Sequence, residues 1–155
     1  MNIHLTNQQP QIAAAIKRTG LSMDKIVAAI DTDYTKLMGY IAEQGKQIAG
    51  APYCFYTNAS EDYMIFDIEL GIPVSEAVPV SGEIFMSQTY EGKALTATHK
   101  GSYKTLETTY CALMDYAKEN SIPIANDCYD YYLSNPADTP ENELLTQVVF
   151  PIKYV

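Results

Sequence analysis

Between Met23 and Gly45 the apolar residues Met23, Ile26, Ile30, Tyr34, Leu37 and Ile41 recur close to the period of an amphipathic helix. Gly45 is placed to stop that helix. A second helix is expected from about Ser102 to Asn120, with Leu106, Tyr110, Leu113 and Ala117 on its apolar stripe, an end before Pro123, and Ser102 or Thr105 as its cap. Strands are expected on both sides of each helix. IAAAIKR precedes the first and ALTATHK the second, while PYCFYTN and CYDYYLSN follow them, aromatic and bounded by turn residues. The run MIFDIELGI alternates cleanly, with Met64, Phe66, Ile68, Leu70 and Ile72 on one face and Ile65, Asp67 and Glu69 on the other. ELLTQVVFPIK plays the same part in the second half, and EIFMSQ reads as a short extra strand.

The two halves also match each other in sequence. Residues 2–20 lie over 83–101 at an offset of 81, and residues 32–60 over 108–136 at an offset of 76. The second match carries ten identities, among them Tyr34/Tyr110, Leu37/Leu113, Tyr53/Tyr129 and Tyr56/Tyr132. The expected architecture is therefore α+β: a tandem duplication of a strand-helix-strand-strand unit, with antiparallel sheets and two long helices. The first repeat would span 1–74, a linker 75–82 and the second repeat 83–155, together one domain. Helix covers one face of each sheet, and a groove is expected at the pseudo-two-fold seam between the copies, the kind of place where ligands bind.

A chain of 155 residues with 47% hydrophobic content is the size and composition of one globular domain. No apolar run is long enough to span a bilayer, and MNIHLTNQQP has no signal-peptide pattern, so a cytoplasmic protein without membrane contact is expected. Cys54, Cys111 and Cys128 form no CxxC pair, which argues against a disulfide framework or a zinc site. A net charge of −9 disfavours direct DNA binding and attracts cations. The aromatic inventory is 13 Tyr, 4 Phe and no Trp.

No phosphate-binding loop, GxSxG or HExxH pattern is present, His4 and His99 are the only histidines, and no nucleophile stands beside a base. No catalytic residue, metal or cofactor is assigned. Three acids attract attention instead. Asp67 and Glu69 leave the same strand on the same side, about 7 Å apart, either as a wet face or as a cation seat. Asp130 stands among Tyr129, Tyr131 and Tyr132, where a carboxylate with aromatic neighbours suits an organic cation unless it is only a strand-edge group. Burial would raise the pKa of any of the three unless a cation answers the charge. Tyr56 and Tyr132 occupy matching places in the copies, as aromatic walls or as core.

The run HKGSY (His99 to Tyr103), the Tyr/Leu-patterned helix after it, CYDYYLSNPADTP, ENELLTQVVFPIK and, in the first half, FDIELGIPV resemble the GyrI-like effector-binding domains over nearly the whole chain. The resemblance implies the duplicated fold and a small-molecule sensor of the kind found in multidrug-responsive MerR- and AraC-type regulators, or a free-standing relative such as a gyrase inhibitor. In the sensors a buried glutamate among aromatics receives cationic amphipathic drugs. The family pattern puts that acid at Asp130, where this chain has Asp for the usual Glu, and Thr146-Gln147 replaces the family's Thr-Glu. Both copies together use the whole chain, so no helix-turn-helix is expected within it.

The expected function is binding of a hydrophobic, cationic small molecule between the copies, as sensor or sequestering protein. Asp130, Glu69 and Asp67 would answer the charge, and Tyr56, Tyr132 and Tyr103 would form apolar walls. Two alternatives stand beside it. One is a hydrolase of electrophilic compounds using a groove acid and a Tyr; the other is a protein-binding inhibitor acting through its acidic surface.

Overall fold

The chain runs strand, strand, helix, strand, strand, and then repeats that order, as the alternation and helical periods require. In the computed structural model, which describes residues 2–153, these elements are β1 (Ile3–Gln8), β2 (Ile12–Ser22), α1 (Met23–Glu43), β3 (Tyr53–Thr57), β4 (Ile65–Pro73), β5 (Phe85–Gln88), β6 (Gly92–Lys100), α2 (Leu106–Glu119), β7 (Cys128–Tyr132) and β8 (Leu145–Pro151). The α+β class with antiparallel strands and two helices is as the sequence patterns indicate. No helix among the described residues is long and apolar enough to cross a membrane.

Two compact units result. One is Gln9–Tyr90; the other joins the N-terminal segment through Gln8 to the segment from Glu91 onward. In the first unit the strands lie in the order β3-β4-β2-β5, all antiparallel, with α1 against them. In the second the order is β1-β6-β8-β7, again antiparallel, with α2. The first strand of each sequence half thus sits at the edge of the other half's sheet: β1 pairs with β6, and β5 with β2.

Each helix buries its stripe against its own sheet. Leu37 and Ile41 of α1 pack with Ala14, Ile16 and Ile72, and Leu113 and Ala117 of α2 pack with Leu95, Ala97, Cys128, Val148 and Phe150. Each fully buried Leu or Ile side chain contributes about 1.5–3 kcal/mol relative to exposure. Gly45 ends α1 as expected: its φ is +69°, its N–H donates to Ala42 O, and Lys46 N–H donates to Ile41 O. That pair of bonds closes the last turn through a left-handed residue. α2 starts at Leu106, the first residue of its stripe and later than the expected Ser102, after a short 3-10 turn at Tyr103–Thr105 in which the Lys104 N–H donates to the Ser102 hydroxyl.

β2 contains a bulge. Arg18 faces Ile68, but Leu21 faces Phe66, so one extra residue is accommodated near Gly20, whose φ is +65°. Strand alternation turns Ala14 and Ile16 toward α1 and puts Ala13, Ala15 and Lys17 on the opposite face of the sheet. On β4 the same rule separates Ile68, Leu70 and Ile72 from Asp67, Glu69 and Gly71.

Candidate functional site

The face of the first sheet turned away from α1 gathers the polar chemistry. Across the β3-β4-β2 register, Phe55, Glu69 and Lys17 stand in one row, with Tyr53, Gly71 and Ala15 in the next and Thr57 and Asp67 on the other side. Glu69 is only 9% exposed. Its Oε2 accepts two hydroxyls, from Tyr53 at 2.7 Å and from Ser87 of β5 at 2.8 Å. No donor among the described residues meets Oε1. Tyr53 is itself fixed: it is fully buried, its carbonyl accepts the Tyr34 hydroxyl, and the hydroxyl end of its ring occupies the space beside Gly71. A methyl at residue 71 would stand 2.5 Å from the ring's Cε1, so glycine is what admits the ring.

Asp67 has a different task. Its Oδ1 accepts the Gly20 N–H at 2.8 Å and its Oδ2 the Asn58 amide at 2.8 Å. It therefore ties the β2 bulge to the turn after β3. These bonds, Asn58 first and then the Gly20 N–H, hold its pKa below the ordinary carboxylate range, with Lys17 adding a smaller attraction.

Lys17, Phe55, Asn58, Asp67 and Glu69 line a cavity of about 140 Å³ in this unit, together with Arg18. Arg18 is committed elsewhere. It grips Asp33 of α1 bidentately at 2.9 and 3.0 Å and reaches Glu83 at 2.6 Å; Lys36 joins Glu83 at 2.9 Å. The hydrogen bonds from Asp33 and Glu83 push the Arg18 pKa up, and Arg18 and Lys36 bring that of Glu83 down to about 2. The cavity is left with two carboxylates and the Lys17 ammonium, which sits 6.0 Å from the centre of the Phe85 ring.

The remaining candidate residues lie elsewhere. Asp130 is fully buried on β7, on the side turned to α2, where it accepts the Tyr110 hydroxyl on Oδ2 and faces the Cys128 thiol 3.9 Å from Oδ1. Desolvation dominates there and raises its pKa to about 7 against the opposing pull of those two bonds. Burial, and then the Asp130 charge, push the Tyr110 phenol well above its ordinary range. Tyr132 lies near enough to act on Tyr110, and its ring meets Tyr103 edge-on at 5.4 Å. Tyr103 is 36% exposed. Asp130, Tyr132 and Tyr103 thus belong to one cluster in the second unit, while Asp67 and Glu69 share the cavity in the first. Tyr56 stands apart from that cavity, edge-on to Phe66 at 5.7 Å.

Tyr53, Ser87 and Lys17 are the partners that sequence reasoning did not single out. Tyr53 had a signal, its identity with Tyr129 across the halves. Strand pairing alone brings Ser87 and Lys17 beside Glu69, and no local pattern announces them.

The sequence profile of the GyrI-like small molecule binding domain matches residues 1–153. No curated protein sequence matches the chain. Among solved structures, the C-terminal domain of EcmrR aligns with a TM-score of 0.87 at 18% identity, covering 99% of this chain and 98% of that one. EcmrR in complex with DNA aligns with a TM-score of 0.86 at 19% identity; 99% of this chain is covered, but only 58% of the EcmrR chain. SAV2435 bound to tetraphenylphosphonium aligns with a TM-score of 0.67 at 13% identity, covering 99% of this chain and 94% of that one. At these identities the likeness is one of fold.

Proposed function

Because the chain belongs to the GyrI-like small molecule binding domain family, we propose that it binds a lipophilic organic cation, and that Glu69 is the carboxylate that answers the charge. The observation that carries this reading is the nine-tenths-buried Glu69 with both protein hydroxyls on Oε2 and none on Oε1, at the wall of a cavity. The Tyr53 and Ser87 hydroxyls hold the carboxylate in place and leave one oxygen to a ligand. The direct hydrogen-bond partners of this buried carboxylate are neutral hydroxyls, so an organic cation in contact with it gains more there than in water. Phe55 supplies an apolar wall. The cavity is smaller than a drug-sized site, so in this reading it takes the charged end while the ligand's apolar bulk lies outside it.

The solved complex of SAV2435 with a lipophilic cation supports the ligand class. Asp130, to which the resemblance first pointed, is given a core role instead, because it is sealed against α2 by Tyr110. Asp67 serves the bulge and shapes the field. The role that follows is that of a cytoplasmic effector-binding module, a sensor or a sequestering protein, acting through a small molecule and without DNA contact of its own.

Calorimetric titration tests this with tetraphenylphosphonium and with tetraphenylborate, an anion of matching shape. The cation should bind and the anion should not. Glu69→Gln should weaken the cation at least tenfold, as expected for loss of a hydrogen-bonded charge. Equal binding of both ions, or an undiminished affinity in Glu69→Gln, would refute the assignment.

A further inference from the structure

The candidate site contains a cation of its own. Lys17 stands directly opposite Glu69 in the β2/β4 register, so the two side chains leave the same face with Cβ atoms about 5 Å apart. That spacing invites an ion pair, yet none joins them among the described residues. The ammonium lies instead over Phe85, at 6.0 Å from the ring centre. Phe85 belongs to β5, the strand whose Ser87 donates to Glu69. The lysine stem has the length to reach either the ring or the carboxylate, and both lie on one side of the sheet. Arg18, the other cation at the cavity, is held by Asp33 and Glu83 and cannot take part.

We infer that Lys17 is the resident counterion of Glu69, a built-in competitor that an incoming organic cation must displace, and that Phe85 is the place to which it retires. This inference rests on the reading of Glu69 as the ligand's carboxylate and deepens it. It assigns Lys17 the setting of affinity and selectivity. A ligand must offer more than a unit positive charge, because the site already has one. The ligands favoured are those that add an apolar surface which lysine cannot match, that is, bulky lipophilic cations over small ammonium ions. Removing the lysine abolishes the competition and leaves the two cavity carboxylates facing the ligand alone.

The test is titration of the full chain with tetraphenylphosphonium and with tetramethylammonium, in wild type, Lys17→Met, Lys17→Arg, Glu69→Gln and the Lys17→Met/Glu69→Gln double variant. Lys17→Met keeps the stem's packing and removes the charge. A unit charge roughly 7 Å away, at an effective dielectric near 20 and with partial screening, is worth about tenfold in affinity. Lys17→Met should therefore bind tetraphenylphosphonium about tenfold more tightly and gain measurable affinity for tetramethylammonium, while Lys17→Arg stays near wild type. In the Glu69→Gln background the gain should disappear. If Glu69→Gln loses binding but Lys17→Met equals wild type, the inference about Lys17 fails and the Glu69 reading stands. A tenfold gain that persists in the double variant marks a general charge effect and likewise overturns the inference. If neither wild type nor Lys17→Met binds the cation, both readings fail together.

Discussion

Replacing Asp130 with Asn should make the protein more stable at neutral and alkaline pH, although it removes a charged residue from a hydrogen bond. Asp130 is fully buried and no basic group among the described residues answers its charge; Tyr110 and Cys128 face it, and Tyr132 lies nearby. Its carboxyl titrates near 7 in the fold, against an ordinary value of 3.8. A carboxyl whose folded pKa stands above its unfolded one holds its proton more tightly in the fold. The stability it contributes is complete below pH 4 and is lost as pH rises toward and through 7. Each pH unit across that window removes about 1.4 kcal/mol, so the whole span is worth about 4 kcal/mol, a large part of the 5–15 kcal/mol that typically holds a domain together.

Asparagine has nearly the same shape and still accepts the Tyr110 hydroxyl through its amide oxygen, but it never ionises. Urea unfolding of wild type and Asp130→Asn at pH 4, 6 and 8 gives the difference directly. The variant should be equal to or weaker than wild type at pH 4, and the difference should swing in its favour by a few kcal/mol by pH 8. Tyr110→Phe, which removes a bond that favours the ionised form, should move the swing to higher pH. A difference that is the same at pH 4 and pH 8 would refute the reasoning. Such a result would mean that the carboxyl is ionised throughout and that the α2 side of the sheet is more polar than its lining.

Two further outcomes follow from the first unit. Gly71→Ala should overpack the contact with the buried Tyr53 ring and cost about 1–3 kcal/mol of stability; cation affinity in calorimetry should fall with it, because Glu69 loses its Tyr53 donor. Asp67→Asn should lower stability in urea unfolding by about 1 kcal/mol, since the charge-assisted bond to the Gly20 N–H becomes a neutral one, with cation affinity changed far less than by Glu69→Gln.

The periodic elements were legible because each is a local property. The stripe from Met23 to Ile41 specified α1, Gly45 its end, and the alternation from Met64 to Ile72 specified β4 and put Asp67 and Glu69 on one side. The edge-strand exchange was not legible. EIFMSQ reads as a short strand in its own half, and nothing local says which sheet it or Ile3–Gln8 completes. For the same reason Ser87 and Lys17 did not announce themselves as neighbours of Glu69. Asp130 was legible as an acid among tyrosines but not as a core group. Cys128 to Tyr132 has no polar and apolar alternation, so the sequence does not reveal which side faces α2.

The places where the halves differ explain why Glu69 and Gln147, at matching positions, have different surroundings. Tyr34 and Tyr110 hold matching positions on α1 and α2. In the second unit the tyrosine hydroxyl finds Asp130; in the first, where Cys54 stands at the matching place, it goes to the Tyr53 carbonyl. That bond fixes the backbone of the residue whose hydroxyl holds Glu69. On the other face of β3 and β7, Tyr53 pairs with Gly71, and Tyr129 pairs with Val149. With no side chain at Gly71, the hydroxyl end of the Tyr53 ring occupies that space and reaches Glu69, two residues along. Val149 denies Tyr129 that position, its ring stacks on Tyr131 at 5.7 Å instead, and the residue in Glu69's place is Gln147, which carries no charge to orient. A single glycine-for-valine difference therefore accompanies the change from an aromatic stack to an aromatic hydroxyl aimed at a carboxylate. Two buried acids lie on opposite sides of their sheets: Asp130 against the helix, where ionisation costs stability, and Glu69 on the far face, where the Tyr53 and Ser87 hydroxyls hold one carboxylate oxygen.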